Sequence, residues 1–363
     1  MADEPAIAFT GGGTGGHVFP ALAVIEELSD RGYHRFLWLG SPKGVERRIV
    51  EEAGIPYVPV PAGKLRRYIS VSNVTDLFRV ASGFLAGRSA LGHHRPGLLF
   101  SKGGFVSVPP VAAAASLGIP VISHESDFDP GLATRINARF SRRVITAYPE
   151  TAARFGEKAV ALGNPIRKAV REGNRERASE RVPVDLTRAL LVVAGGSLGA
   201  VQLNEIVAAE LDRLTETFSV VHQRGEHPEV APNGEHYYSR PFFGEEWGDI
   251  LARADLLLCR GGAGTLWEAG ASKTPAVVVP LSARASRGDQ IRNARYFEER
   301  GAAVAIAQDP PEPGEVVDAL FSLFYSADRY DEAVRGMSQI VGGDVTGAIA
   351  DEIESLLTME GRQ

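Results

Sequence analysis

A strand, a glycine-rich turn and a helix follow one another at the start of the chain, and the same succession returns at its middle. The first copy has an apolar stretch at residues 6–9, glycines within residues 11–16 and a helical pattern from Pro20. The second has an apolar stretch at residues 189–194 and glycines within residues 195–199. Strands that alternate with helix-length segments are typical of βαβ units in a parallel sheet. We therefore predict an α/β fold with two such domains.

Each half also has a second glycine turn at the corresponding place. Residues 102–104 follow an apolar stretch in the first half, and residues 260–262 do so in the second. In both halves a helical pattern and another apolar stretch come next, at residues 119–122 and 274–278. Because the order of the turns matches, we expect the two halves to share one topology.

The composition excludes several classes of protein. The 363 residues suffice for two or three domains of ordinary globular composition. The net charge of -6 gives no overall attraction to nucleic acid, so we expect no nucleic-acid partner and a local patch for any basic site. A single cysteine, Cys259, excludes an intramolecular disulfide and a zinc site built on several thiolates. No apolar run reaches the roughly 20 residues of a transmembrane helix, and the first residues lack the features of a signal peptide.

The first glycine turn contains the pattern G-x-G-x-x-G, which is typical of dinucleotide-binding domains. Those domains have an acidic residue about 20 positions later, at the end of the second strand, and here that strand ends in Gly40-Ser41. Glycines can also serve only to turn the chain. We favour a third interpretation, in which backbone N–H groups and helix N-termini at the four turns stabilise a pyrophosphate without a metal. We interpret residues 127–129, the nearest approach to an Asp-x-Asp metal motif, as a capped turn before Pro130.

Six motifs together resemble one known family. In order along the chain they are GGTGGHVFPALA from residue 12, GGFVS from residue 103, HESD from residue 124, GNPIR from residue 163, GGSLGA from residue 195 and SRGDQ from residue 286. They closely resemble the MurG family of bacterial peptidoglycan glycosyltransferases. The resemblance implies the GT-B fold, with two Rossmann-like domains facing across a cleft. It also implies an acceptor and membrane-side domain at residues 1–166, a UDP-sugar domain at residues 167–344, and a terminal helix at residues 345–363 that returns to the first domain.

The resemblance further implies an inverting transfer of N-acetylglucosamine from UDP-N-acetylglucosamine. The acceptor would be the 4-hydroxyl of undecaprenyl-pyrophosphoryl-N-acetylmuramyl-pentapeptide (lipid I), and the product would be lipid II, used in peptidoglycan synthesis, cell division and the maintenance of cell shape. It implies no tightly bound cofactor and no bound metal, with a divalent cation at most stimulatory. The expected location is peripheral, on the cytoplasmic face of the bacterial plasma membrane.

By the same resemblance, the second domain binds the donor. Glu268 would hold the ribose hydroxyls, Arg167 would lie at the hinge beside the nucleotide, and Gln290 would contact hydroxyls of the sugar, since an amide both donates and accepts. The backbone of Gly244 would contact the uracil, and Ser197 would face the diphosphate. The residues that open the nucleotide helix complete this set: Ala263, Gly264, Thr265, Leu266, Trp267 and Glu268.

The first domain is implied to hold the acceptor and the catalytic groups. Three residues of the first turn would close over the donor and the acceptor diphosphate: Thr14, Gly15 and Gly16. His17 is the leading general base because imidazole titrates near the working pH, and Glu125 is the second candidate. His124 would orient the acceptor or share in proton transfer. Asp127 stands where the family has an asparagine, so a carboxylate would accept hydrogen bonds from sugar hydroxyls there.

A membrane lipid as acceptor requires a face that contacts the membrane. Basic and apolar side chains within residues 64–85 have the composition to bind anionic head groups and the acyl boundary. They are Lys64, Arg66, Arg67, Tyr68, Ile69, Leu77, Phe78, Arg79, Phe84 and Leu85. The alternative is an ordinary helix that buries its apolar residues in the core.

Three other functions fit the same architecture. One is a glycosyltransferase with a different lipid acceptor. A second is a sugar-nucleotide epimerase, which needs no lipid-facing patch. The third is a non-catalytic nucleotide-binding module, which would need neither His17 nor Glu125.

Overall fold

The computed structural model describes residues 5–63, 72–196, 199–283 and 288–360. The chain forms two compact units, one of Met1–Pro165 together with Asp344–Gln363 and one of Ile166–Gly343. The second unit is therefore inserted in the sequence of the first. Each unit is built on a parallel sheet, which confirms the α/β fold predicted from the repeated turns.

Both sheets consist of short, mainly apolar strands, as expected where helices cover both faces of a parallel sheet. In the first unit they are β1 (Ile7–Gly11), β2 (Phe36–Gly40), β3 (Tyr57–Pro59), β4 (Leu98–Gly103), β5 (Val121–Glu125), β6 (Arg143–Thr146) and β7 (Ala159–Ala161), in the order β3-β2-β1-β4-β5-β6-β7. In the second they are β8 (Ala189–Ala194), β9 (Phe218–Gln223), β10 (Tyr237–Arg240), β11 (Leu256–Cys259), β12 (Ala276–Val278) and β13 (Ala303–Ala305), in the order β10-β9-β8-β11-β12-β13.

The helices connect these strands and pack on them and on one another. In the first unit they are α1 (Phe19–Asp30), α2 (Val45–Glu52), α3 (Ser72–His94), α4 (Val108–Ser116), α5 (Leu132–Asn137) and α6 (Pro149–Ala152). In the second they are α7 (Lys168–Arg171), α8 (Ala178–Arg181), α9 (Val201–Thr217), α10 (Trp247–Arg253), α11 (Ala263–Ala271), α12 (Asp289–Glu298), α13 (Pro313–Tyr325) and α14 (Ala327–Ile340). The last helix, α15 (Val345–Glu360), belongs to the first unit. Among the described helices, none has both the length and the apolar character needed to cross a membrane.

Two arginines tie α15 to the first unit. Arg31, just after α1, donates a hydrogen bond to Glu354 at 2.8 Å. Arg143 of β6 forms a bidentate pair with Glu352 at 2.8 and 2.9 Å. Between these pairs, Ile353 is fully buried. Polar pairs on both sides of an apolar contact therefore fix the position of this helix on the unit.

The strand order in each unit reverses at one place, between β1 and β4 in the first and between β8 and β11 in the second. Ligands of open α/β sheets bind at such a reversal, beyond the carboxyl ends of the strands. The glycine turns at residues 11–16 and 103–104 follow β1 and β4, and those at residues 195–199 and 261–262 follow β8 and β11. All four turns are thus at the edge of a sheet where ligand binding is expected.

Candidate active site

The first glycine turn is held by a buried carboxylate. Glu46 of α2 is fully buried and accepts hydrogen bonds from the backbone N–H of Gly13 at 3.2 Å and from the N–H and hydroxyl of Ser41 at 3.1 and 2.5 Å. The second strand has no acidic residue at its end. In the structure, the helix that follows this strand places the carboxylate of Glu46 at the turn instead. Both carboxylate oxygens of Glu46 already bind protein groups, so it fixes the shape of the turn.

The second glycine turn packs directly on the first. Gly104 has a φ of 76°, and a Cβ atom there would lie 2.3 Å from the carbonyl oxygen of Gly12. Only glycine permits this approach. A Cβ atom at the neighbouring Gly103 would lie 3.8 Å from Cδ2 of the His17 ring. The predicted base therefore lies where the two turns meet, at the reversal of strand order.

His17 is half-buried at the end of the short 3-10 helix Gly15–His17. Its Nδ1 atom lies 3.1 Å from Oγ1 of Thr14. A partner on one ring nitrogen orients the imidazole and sets which nitrogen carries the proton. Thr14 and Gly16 are exposed and Gly15 is half-buried, so this turn is accessible to a ligand. The catalytic role of His17 stays a prediction.

Glu125 ends β5 and closes the loop that follows it. Its carboxylate accepts hydrogen bonds from the backbone N–H groups of Asp127 at 3.1 Å and Gly131 at 3.0 Å. Glu125 is buried, whereas Asp127 is half-buried. Asp129 accepts a hydrogen bond from Arg154 at 2.8 Å, which fixes the outer side of the same loop. In the part of the chain that the structure describes, no three His, Cys, Asp or Glu side chains are grouped so that they could hold a metal ion.

His124 lies on the interior side of the same strand end. Its ring is fully buried, and its Nε2 atom donates to the carbonyl oxygen of Gly163 at 2.9 Å. Burial, together with the nearby charge of Lys102, holds the pKa of His124 well below its ordinary value. The ring is therefore neutral. This geometry favours anchoring of β5 to the segment around Gly163 over the predicted contact with the acceptor.

In the second unit, two predicted residues form a partly buried ion pair. Arg167 donates from Nε to Oε1 of Glu268 at 2.6 Å and from Nη2 to Oε2 at 2.8 Å. Such bidentate pairs combine charge with fixed geometry. The indole N–H of Trp247 also donates to Oε2 of Glu268 at 2.9 Å. Glu268 is thus held in one orientation by groups from α10 and from the start of the unit, and Trp247 is a partner that the sequence motifs do not reveal.

A buried amide joins two predicted donor contacts. Gln223, at the end of β9, donates from Nε2 to the carbonyl oxygen of Gly196 at 3.0 Å, and its Oε1 accepts from the backbone N–H of Phe243 at 3.0 Å. Gly196 belongs to the third glycine turn, and Phe243 precedes Gly244. The N–H of Gly244 donates to Glu246 at 3.1 Å, and its carbonyl oxygen accepts from the first residue of α10. That oxygen has a second lone pair, so it is the backbone group of Gly244 that remains for a contact with the uracil base. Ser197 lies outside the described residues.

The fourth turn leads into α11, where the predicted residues divide into two groups. Leu266 and Trp267 are buried, as is Ala263, because α11 packs on the core of the unit. Their side chains therefore pack in the core, and a contact of these residues with the donor stays a prediction. Gly264 and Thr265 are half-buried.

Gln290 is brought close to this turn at the start of α12. A Cβ atom at Gly261 would lie 2.4 Å from the carbonyl oxygen of Gln290, so the two segments are in direct contact. Oε1 of Gln290 accepts from the backbone N–H of Leu281 at 3.0 Å. That bond orients the amide, and the contact of Gln290 with a sugar stays a prediction.

The predicted membrane face is described only in part. Lys64, Arg66, Arg67, Tyr68 and Ile69 lie outside the described residues, as does the side chain of Leu77. Of the others, Phe78 is 73% exposed and Leu85 is 65% exposed, and Arg79 is also exposed. Phe84 is half-buried against the core of the first unit. The alternative of an ordinary core helix therefore holds for Phe84 and does not hold for Phe78 and Leu85.

Comparison with known proteins assigns both units to one family. Residues 7–146 match the glycosyltransferase family 28 N-terminal domain, and residues 190–339 match the family 28 C-terminal domain. The chain belongs to glycosyltransferase family 28. It is accordingly a glycosyltransferase with the GT-B fold, as the sequence motifs predict. The family match includes the residues of all four glycine turns.

Curated relatives of this family 28 glycosyltransferase match nearly all of the chain. The chain is 40% identical to a protein of Treponema denticola, with 97% of the chain and 98% of that relative covered. It is 42% identical to one of Treponema pallidum, with 97% and 95% covered. Both relatives are named UDP-N-acetylglucosamine--N-acetylmuramyl-(pentapeptide) pyrophosphoryl-undecaprenol N-acetylglucosamine transferase. The resemblance to the MurG family is confirmed.

Solved structures agree with this assignment. The crystal structure of MurG from Acinetobacter baumannii is 27% identical and superposes with a TM-score of 0.74, covering 97% of this chain and 100% of that one. The calicheamicin glycosyltransferase CalG4 is 18% identical with a TM-score of 0.69, covering 98% and 99%. The second comparison bears on the fold alone.

Proposed function

We propose that this chain transfers N-acetylglucosamine from UDP-N-acetylglucosamine to the 4-hydroxyl of undecaprenyl-pyrophosphoryl-N-acetylmuramyl-pentapeptide, forming lipid II. The observation that carries this proposal is the match, through both units, to relatives whose names specify this donor and this acceptor. A match confined to one unit would support only one of the two substrates.

The second unit is proposed to bind the donor. Glu268 accepts three hydrogen bonds from Arg167 and Trp247, so of the about four lone-pair sites on its carboxylate one is left for a ribose hydroxyl. Arg167, which pairs with Glu268, brings to this position a guanidinium that suits a diphosphate. The half-buried Gly264 and Thr265 lie at the start of α11, where a helix N-terminus favours an anion.

The first unit is proposed to hold the reacting hydroxyl. His17, or Glu125 in its place, would remove the proton from the 4-hydroxyl as its oxygen attacks the anomeric carbon. The bond from that carbon to the β-phosphate oxygen breaks, UDP leaves with the electron pair, and the configuration inverts. General-base catalysis of this kind contributes roughly 10² to 10⁴ in rate.

Membrane attachment is the remaining part of the proposal. Phe78 and Leu85 are seven positions apart on α3, so they lie on the same side of that helix, and both are exposed. The opposite side packs on α4 through small residues, since a Cβ atom at Gly87 would lie 3.4 Å from the Cβ of Ala113. We propose that the exposed side of α3 contacts the membrane from the cytoplasm.

One assay separates this function from its alternatives. The chain is incubated with radiolabelled UDP-N-acetylglucosamine, with lipid I, with another polyprenyl-linked sugar, or without acceptor. Label that enters lipid only with lipid I supports the proposal, and label that enters the other lipid indicates a different acceptor. An isomerised nucleotide sugar without acceptor would indicate an epimerase, and intact donor in every reaction would indicate a binding module.

A further inference from the structure

Lys102 is a buried lysine that neither the motifs nor the proposed mechanism uses. It lies near the end of β4, directly before Gly103, and the residue is 1% exposed. A buried ammonium is costly unless charged or polar groups compensate it. Its Nζ donates to Oγ of Ser126, and Oγ of Ser126 donates to Oδ1 of Asn164 at 2.6 Å. A chain of polar contacts thus runs from β4 to the loop after β5.

That loop carries both carboxylates predicted to act at the site. Ser126 lies between Glu125 and Asp127, whose negative charges favour the charged form of the Lys102 side chain. The Lys102 ammonium therefore holds the loop from the interior of the unit, and Arg154 holds it from the outer side through Asp129. Among the described residues, Ser126 is the hydrogen-bond partner of the Lys102 ammonium.

His17 lies on the other side of the same lysine. A Cβ atom at Gly11 would lie 3.0 Å from the carbonyl oxygen of His17 and 3.1 Å from Cβ of Lys102. Lys102 is therefore packed between the turn that carries His17 and the loop that carries Glu125. A displacement of about 1 Å at a reacting group can lower the rate by about 10². A residue that fixes the distance between this turn and this loop therefore affects catalysis.

We propose that Lys102 is a positioning residue for the transfer reaction: its ammonium holds Ser126, and through it the loop of Glu125 and Asp127, against the His17 turn. This inference rests on the proposed function. It assigns Lys102 no contact with substrate.

The proposal carries a pH dependence of defined sign. Burial lowers the pKa of Lys102 to about 8, against the opposing effect of Glu125 and Asp127. The other titratable groups near it are His124, which is neutral, and His17. Turnover should therefore fall as the pH rises through about 8 and the ammonium loses its charge. The free energy of unfolding changes in the opposite direction. Between the pKa of Lys102 in the folded chain and its higher ordinary pKa, the unfolded chain binds more protons than the folded chain. The contribution of Lys102 to stability therefore rises with pH in this range.

The test compares Lys102→Met, Ser126→Ala and the double variant with the parent. Lys102→Met should lower kcat by about 10- to 100-fold, with the KM for the donor and the affinity for UDP unchanged. It should also lack the fall in kcat above pH 8. The effects of the two single changes should not add in the double variant, because Lys102 acts through Ser126. Thermal unfolding should show an unchanged or higher Tm for Lys102→Met, since removing a buried charge need not destabilise the fold.

Lys158→Met is the matched control, because that lysine belongs to the same unit and donates to the backbone carbonyl of Ala138 instead. It should keep the parent kcat and pH profile. If Lys102→Met keeps the parent kcat and its alkaline fall, or if the loss of kcat follows a lowered Tm, the positioning role is overturned. A parent chain that transfers no sugar would overturn the proposed function instead.

Discussion

His17 is the side chain on which the proposed chemistry of the first unit depends. Replacing it, as His17→Ala, should lower turnover by about 10² to 10⁴, the usual contribution of a general base, and should leave the affinity for UDP nearly unchanged. Steady-state kinetics and UDP calorimetry measure the two effects. His93→Ala, which changes an exposed histidine of the same unit, is the control. Unchanged turnover in His17→Ala would transfer the role of base to Glu125.

Glu268 gives the corresponding prediction for the second unit. Glu268→Ala should weaken UDP binding by about 1.5 to 3 kcal/mol, the range for a hydrogen bond that involves a charged group. Trp247→Phe removes one bond that orients the carboxylate and should cost less. Calorimetry with UDP measures both, and Glu299→Ala, at an exposed site of the same unit, should bind as the parent does. Equal affinity of Glu268→Ala and the parent would refute contact with the ribose.

The sequence predicts the position of the glycine turns well, because their residues form contiguous motifs. His17 and Gly104 lie in glycine turns whose function depends on the local backbone, and that backbone is visible in the pattern of residues. Glu46, Gln223 and Lys102 were not predictable as site residues, because their partners are 33, 27 and 24 positions away. A polar side chain in a strand or helix does not reveal which turn it will reach in the fold.

For the secondary-structure elements too, local composition predicts what depends on neighbouring residues and misses what depends on distant ones. Apolar stretches locate the strands, and the strand predicted at residues 189–194 is confirmed without change as β8. β4 instead continues from the apolar residues 98–100 through Ser101 and Lys102 to Gly103, because Thr10 of β1 still pairs with Ser101. Ladder pairing with a neighbouring strand, which local composition does not record, decides where such a strand ends.

Two loops of the second unit are joined by a single side chain, so they should respond together to its loss. Gln223→Leu leaves the buried N–H of Phe243 without its acceptor, at a cost of about 1 to 3 kcal/mol in the stability of the unit. UDP affinity should fall as well, because the third glycine turn and the segment before Gly244 lose their common anchor. Calorimetry measures the Tm and the Kd for UDP.

Gln339→Leu, at an exposed position of the same unit, is the control and should change neither quantity. A lowered Tm with an unchanged Kd would show that Gln223 supports the fold without shaping the donor site.

At the scale of the whole molecule, a chain of net charge -6 must reach a lipid substrate through a local surface. The triple change of Arg66, Arg67 and Arg79 to Glu should reduce sedimentation with anionic vesicles, since each basic residue near the surface contributes about 1 kcal/mol. Binding of the parent should fall as salt rises. Turnover of a soluble acceptor analogue should persist in the variant, because these residues are outside the proposed catalytic groups.

The apolar part of the same surface has its own variant. Phe78→Ser with Leu85→Ser should weaken vesicle binding at all salt concentrations, because apolar burial is not screened. Phe140→Ser changes an exposed phenylalanine elsewhere in the unit and should bind as the parent does. If the triple and double variants both sediment like the parent, another surface contacts the membrane.

The insertion of the second unit between Pro165 and Asp344 also sets an order of events during biosynthesis. The described strands of the first unit all leave the ribosome before the second unit is made, yet α15 is translated after it. Until then α1 lacks the helix that packs on it, and Arg143 lacks Glu352. The second unit is contiguous and can fold as soon as its own residues have emerged, since domains fold as units. The half of the enzyme that is translated first is therefore the half that is completed last.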